Sequence, residues 1–108
     1  MINVTIREQD DYITGFEISG HSNYAEHGKD IICAAVSAIS QALIIGLEYI
    51  DTDIQSSMEE ARGYLDVTID KEFYNDNSTQ LLLKVMELSL KEIEEQYAEY
   101  INVEYKEV

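Results

Sequence analysis

Two side chains in this sequence have the chemistry of a nucleophile and a base, at a spacing that a short loop can close. Cys33 is the only cysteine of the chain and stands three residues after Asp30, at the head of an apolar stretch. If Asp30 caps a helix beginning at Ile31, Cys33 falls in the first turn. There the unsatisfied N–H groups and the helix dipole favour an anion, and so the thiolate. Lys29 stands beside the cap and adds positive charge. His21 follows Gly20 at the end of a predicted strand, and the nine residues Ser22–Asp30 join it to the helix. A nucleophilic thiol needs a base within about 2.6–3.2 Å, and a helix folded back on the strand brings His21 over its N-terminus. Each residue also has a plainer reading. A lone cysteine in an apolar run is commonly a small buried side chain, and a loop histidine can simply bond to backbone.

The other candidates carry weaker signals. His27 reads as a surface histidine within the loop. His21, Glu26, His27 and Cys33 have zinc-ligating atoms, but their spacing matches no closed-site pattern, so no metal or other cofactor is expected. Ser37 lies one turn after Cys33 on the same helix face. It can orient the thiol, or bond back to a carbonyl as helical serines do. Asp30 can orient His21, although capping alone accounts for it. Glu59, Glu60, Asp66 and Asp70 fall on strands or turns and read as a solvated face.

The elements that must position these groups follow from periodicity. Ile2, Val4 and Ile6 alternate with Asn3, Thr5 and Arg7, a half-buried strand. Glu8–Asp11 is a polar turn. A second alternating run, Tyr12–Ser19, completes a hairpin. Gly20–Asp30 has no periodicity and reads as a loop. The apolar stretch predicts a helix from Ile31 to Ile50, with a stripe of Ile32, Val36, Ile39, Leu43 and Leu47. Its other sides are also mostly apolar, so it needs cover on more than one side. Ile54–Glu60 and Leu65–Asp70 read as strands about a turn at Ala61–Gly63. Asn75–Ser78 is a cap cluster. Leu82, Val85, Met86, Ser89, Ile93 and Tyr97 recur at helical spacing, with Lys84, Glu87, Lys91, Glu94 and Glu95 on the wet face. Ile101, Val103 and Tyr105 alternate in a last strand. The order β-β-α-β-β-α-β predicts an α+β fold, one mixed sheet packed with two helices. The two ββα halves share their order but no matching residues.

Bulk properties bound the function. A chain of 108 residues and 12.4 kDa is one domain by size, residues 1–108. Seven basic residues against 22 acidic ones give a formal charge of -15. This argues against a phosphate-binding, nucleic-acid surface and favours a basic partner. A single cysteine excludes an internal disulfide. The N-terminus has no signal-peptide pattern. The longest uncharged run, Ile31–Leu47, has 17 residues and includes Ser37, Ser40 and Gln41. A bilayer span needs about 20 mostly apolar residues, so the run reads as a buried helix. A cytoplasmic protein with no membrane segment is expected.

The segments Gly20-His21-Ser22-Asn23-Tyr24-Ala25 and Gly28-Lys29-Asp30-Ile31-Ile32-Cys33-Ala34-Ala35-Val36-Ser37-Ala38 resemble the ribosomal-processing cysteine protease family, also called Prp. The likeness is close over Gly20–Gln41 and extends in element order over nearly the whole chain. The Gly-His pair and the Asp-Ile-x-Cys-Ala-x-x-Ser motif are specific together, and neither is alone. The family often has Ala where Ser22 stands. The resemblance implies that His21 is the base and proton donor and Cys33 the nucleophile, with Asp30 and Ser37 as supporting residues. It also implies a homodimer of α+β fold. The implied substrate is bacterial ribosomal large-subunit protein twenty-seven, a basic protein that loses a short N-terminal extension by a cut after paired phenylalanines and before a small residue. Two other readings remain open on the sequence. One is a non-catalytic acidic adaptor for a basic ribosomal protein, with Cys33 merely buried. The other is a redox-sensing thiol, which lacks a resolving cysteine.

Overall fold

The computed structural model describes residues 1–26 and 28–108. The reading of His27 lies outside the described residues. Five strands and two long helices follow in the expected order: β1 Ile2–Gln9, β2 Tyr12–Ser19, α1 Ile31–Tyr49, β3 Ile54–Glu59, β4 Tyr64–Ile69, α2 Asn77–Gln96 and β5 Ile101–Glu107. Short 3₁₀ turns, Glu60–Arg62 and Lys71–Phe73, flank β4. The sheet order is β3-β4-β2-β1-β5. Only β1 and β5 are parallel, and the other neighbours are antiparallel. The sheet is therefore mixed, as the order of elements predicts.

Alternation decides which face of the sheet is covered. Val4 pairs with Ile18 and Ile18 with Leu65, while Ile6 pairs with Phe16 and Phe16 with Val67. These side chains share one face and are buried with Ile32, Val36, Leu43 and Leu47 of α1 and Leu83, Met86 and Leu90 of α2. The opposite face is polar. There Arg7 makes a bidentate pair with Asp66 at 2.9 and 3.0 Å and also donates to the Val67 carbonyl. The Glu8–Asp11 turn is tighter than the sequence suggests. β1 continues to Gln9, and Asp10 and Asp11 alone turn the chain, both at positive φ (50° and 69°). Such a two-residue turn matches the twist of the strands, and aspartate tolerates the left-handed conformation.

α1 is held at both ends. Asp30 caps its start. At its end the Asp51 and Thr52 N–H groups return to the carbonyls of Glu48 and Leu47, with Asp51 at φ 59°. By length and composition α1 is apolar enough to cross a membrane. Here its Ile32–Leu47 stripe forms part of the domain core. Within that stripe Ile39 is only half-buried, while Ser40 is buried and returns its hydroxyl to the Val36 and Ser37 carbonyls at 3.0 and 3.1 Å.

α2 differs more from its expected pattern. Its buried residues are Thr79, Leu83, Met86, Glu87 and Leu90, whereas Val85 is exposed. Glu87, expected on the wet face, is buried. Its carboxylate accepts hydrogen bonds from Lys84 Nζ, at 2.8 Å, and from the Tyr105 hydroxyl. The cause is that α2 has two apolar stripes. The sheet covers one, and the other, Leu81, Val85 and Leu88, is left on the outside.

Candidate active site

The site lies where the end of β2, the start of α1 and the β3–β4 connection meet. Asp30 organises it. Its Oδ1 accepts the N–H groups of Ile32 and Cys33 at 3.1 and 3.0 Å. Its Oδ2 accepts the Tyr24 N–H at 3.1 Å and the Ser22 hydroxyl. Burial pushes the Asp30 carboxyl up. The hydrogen bonds from Ser22 and from the Cys33, Ala25 and Tyr24 N–H groups outweigh this and hold its pKa down at about 2. The anion at the helix start is therefore the Asp30 carboxylate. The Ala34 N–H is also taken, by the Asp30 carbonyl at 3.1 Å. These first-turn N–H groups are therefore already engaged and do not point freely at a reacting group.

Cys33 is half-buried in that first turn. Its Sγ meets two groups of Ser22, the backbone N–H and the hydroxyl, each at 3.4 Å. Ser22 is 2% exposed. It thus links the capping carboxylate, the thiol and the loop, whose Tyr24 N–H also reaches its Oγ at 3.3 Å. By sequence Ser22 is a loop residue standing where the family often has alanine, with no role in the site. The available signal was a serine two residues before Tyr24, since a hydroxyl accepting the N–H two residues on makes a local turn.

His21 is brought to the same corner, where its ring meets the β3–β4 connection. Nε2 lies 3.3 Å from the Ala61 carbonyl in the 3₁₀ turn. Among the described residues no hydrogen bond joins His21 to Cys33. Two glycines make this corner. Gly20, at φ 90°, turns the chain out of β2 so close to the N-terminus that an added Cβ would lie 2.5 Å from the Met1 carbonyl oxygen, a clash. Gly63, at φ 60°, packs on the Gly20 carbonyl, and a Cβ there would come within 3.1 Å of His21 Cε1. A catalytic hydrogen bond is often long or absent without substrate. Swinging the exposed imidazole off Ala61 is the movement a dyad requires.

The other expected participants fall elsewhere. Ser37 is exposed one turn beyond Cys33, and its hydroxyl has no partner among the described residues. Lys29 pairs with Glu26 at 3.0 Å on the surface and does not approach the thiol. Asp53, Asp70 and Glu72 form a carboxylate cluster at the far end of the β3–β4 hairpin from His21. Tyr24 fastens the loop from outside. Its ring meets those of Tyr97 and Tyr100 edge-on, with centroids 6.0 and 5.2 Å apart. No local pattern could reveal a contact between residues so distant in sequence.

Comparison with known proteins decides the family. Residues 1–102 match the family described as Cysteine protease Prp. The chain is 36% identical over 111 residues to the ribosomal processing cysteine protease Prp of Staphylococcus aureus (strain Mu50 / ATCC 700699), covering 98% of this chain and all of that one. It is 32% identical to the Prp of Bacillus subtilis (strain 168), covering 95% and 96% of the two chains. The chain belongs to the Prp cysteine protease family. A crystal structure of an essential S. aureus Prp in complex with a covalently linked product peptide superposes with a TM-score of 0.92 at 30% identity, over 98% of this chain and 100% of that one. The element order and mixed sheet are thus those of a Prp protease, and the non-catalytic adaptor reading gives way.

The Asp30 cap carries a prediction within this Prp fold. Asp30→Ala is expected to lower stability at neutral pH by about 1 kcal/mol, the usual cost of losing a helix cap. A depressed folded pKa gives stability that is present above the ordinary carboxylate value of 3.8 and is lost as pH falls toward about 2. The stability difference between variant and parent should therefore shrink between these two values. Urea denaturation at pH 7, 4 and 2.5 checks it. A difference constant with pH would show that the Asp30 charge does not support the fold.

Proposed function

We propose that this Prp protease cleaves the N-terminal extension from a basic ribosomal protein, the bacterial large-subunit protein twenty-seven, with Cys33 as nucleophile and His21 as base. The observation that carries the reading is the position of Cys33. The chain's one thiol sits half-buried at the start of α1 against Ser22, the residue that follows His21, with Asp30 and Ser22 holding its backbone and side chain in place. In the reaction His21 swings from Ala61 to take the thiol proton. The thiolate attacks the scissile carbonyl, and the imidazolium protonates the leaving amine. Water then hydrolyses the thioester. The covalently linked product peptide of the S. aureus relative supports a nucleophilic route. Ser37 acts from the same helix face, where its free hydroxyl can meet bound substrate. A ribosomal substrate implies cytoplasmic residence.

Incubating the protein with the extended ribosomal protein and reading the cut by mass spectrometry tests the proposal. A single cut after the paired phenylalanines is expected, and an intact substrate would overturn it. The charge of -15 adds a prediction. Raising salt from 0.1 to 1 M shrinks the screening length from ~10 to ~3 Å, so kcat/KM on the full basic protein should fall through slower association. A short neutral peptide with the same cleavage sequence should respond much less. Equal salt slopes would show that charge plays no part in choosing the substrate.

The outer helix surface favours a homodimer. Ile45 and Tyr49 of α1 are 66% and 87% exposed, next to the close approach of Gly46 and Leu82. Leu81, Val85 and Leu88 of α2 are exposed beside them. A second copy of this chain covers such a two-helix apolar face by two-fold symmetry. Light scattering at micromolar concentration should report about twice the 12.4 kDa chain mass, and Val85→Glu should shift it toward the monomer. A clean monomer for the parent protein would contradict the dimer.

A further inference from the structure

We propose that the free edge of β3 is where a polypeptide substrate docks, adding itself to the sheet as an extended sixth strand that leads the scissile bond to Cys33. This rests on Cys33 and His21 being the reacting pair.

The two edges of the sheet differ in how they are guarded. β5 forms one edge and carries Glu104, Lys106 and Glu107 among its exposed residues. Charges of this kind keep other chains from pairing with an exposed ladder. β3 forms the other edge, and among the described residues its strand pairing is with β4 alone. Gln55–Glu59 are all exposed, yet no charge occurs from Ile54 to Met58. In a chain with 27% charged residues, this unguarded edge stands out. It presents alternate N–H and C=O groups with neutral side chains around them, which is what an incoming strand requires.

The edge is also continuous with the site. β3 runs directly into the 3₁₀ turn whose Ala61 carbonyl holds His21, and Gly63 closes the turn against Gly20 and His21. Beside it, Cys33, Ser37 and Gln41 recur every fourth residue on one face of α1. Gln41 Nε2 reaches Met58 Sδ at 3.8 Å. The α1 face that starts at the nucleophile therefore meets β3 near the end that enters the site. A peptide held along β3 is extended, the conformation in which its carbonyls are open to attack, and backbone pairing would bind it whatever the side chains between its specificity positions.

The test uses the full protein carrying Cys33→Ala, so that binding is read without chemistry, and a fluorescent peptide spanning the cleavage site of the extended ribosomal protein. Single backbone N-methyl groups are placed at successive peptide positions, and Kd is measured by anisotropy. Strand addition predicts period-two losses, about tenfold at each position whose N–H faces β3 and little at those between. On the protein side, Ser56→Pro and Ser57→Pro remove neighbouring β3 N–H groups, one facing β4 and one facing outward. The outward one should keep the parent Tm and weaken binding, while the other should unfold or lose Tm. Losses without period two, or a stable proline variant that binds normally, would overturn the proposal. So would a stable variant that changes oligomeric state and leaves Kd unchanged. If neither proline variant folds, the N-methyl series decides alone. Normal cleavage by the parent protein with no period-two pattern would sink the docking strand and leave the catalytic assignment standing. Absence of cleavage with the pattern intact would do the reverse.

Discussion

Cys33→Ala is expected to lower turnover of a peptide carrying the cleavage site by about 10⁴-fold or more, with the fold retained. The reason is the division of labour around the thiol. Its removal deletes the only sulfur able to form an acyl-enzyme bond. The capping bonds from the Ile32 and Cys33 N–H groups to Asp30 remain, because they use backbone. Ser22 loses a soft partner at 3.4 Å but keeps Asp30. Circular dichroism and Tm should therefore stay near those of the parent, and peptide affinity should persist. Cys33→Ser should also be nearly inactive, since a hydroxyl is far less acidic than a thiol and among the described residues no base bonds to Sγ. Substantial cleavage by Cys33→Ala would end the assignment of the nucleophile.

His21→Ala is expected to reduce kcat/KM by about 10²–10⁴-fold, the usual contribution of a positioned base. It should cost the fold about 0.5 kcal/mol or less, because the residue is exposed and its ring's one bond among the described residues goes to the Ala61 carbonyl. His27→Ala should have a much smaller effect on kcat/KM, and the reverse ranking would move the base to His27. A second measurement probes the resting arrangement. In the free protein the partner of Cys33 is Ser22 and not the imidazole. Alkylation of the thiol without substrate should then proceed at nearly the parent rate in His21→Ala. A large drop in that rate would show that the imidazole already sits on the thiol in solution.

Most of the architecture, and the candidates for the reactive pair, were legible in the order of residues alone. Alternation in β1, β4 and the second half of β2 fixes which side chains face the core, because a slip of one residue would turn Val4, Ile6, Phe16 and Val67 outward. Asp30 was legible as a cap because capping is local, and the helix start then placed Cys33. What depends on contacts between distant residues was not legible. Which stripe of α2 is buried depends on where the sheet and α1 lie, so Val85 went outside and Glu87 inside. The partner of Tyr24 is set by how the end of α2 returns to β5. The direction of the His21 ring is set by a turn forty residues later. A side chain with free rotation takes the best partner that tertiary packing brings within reach, and here packing brought a carbonyl to the histidine and a serine to the thiol. Local sequence decides which chemical groups are present and on which element they stand. Only the folded chain decides which of them touch.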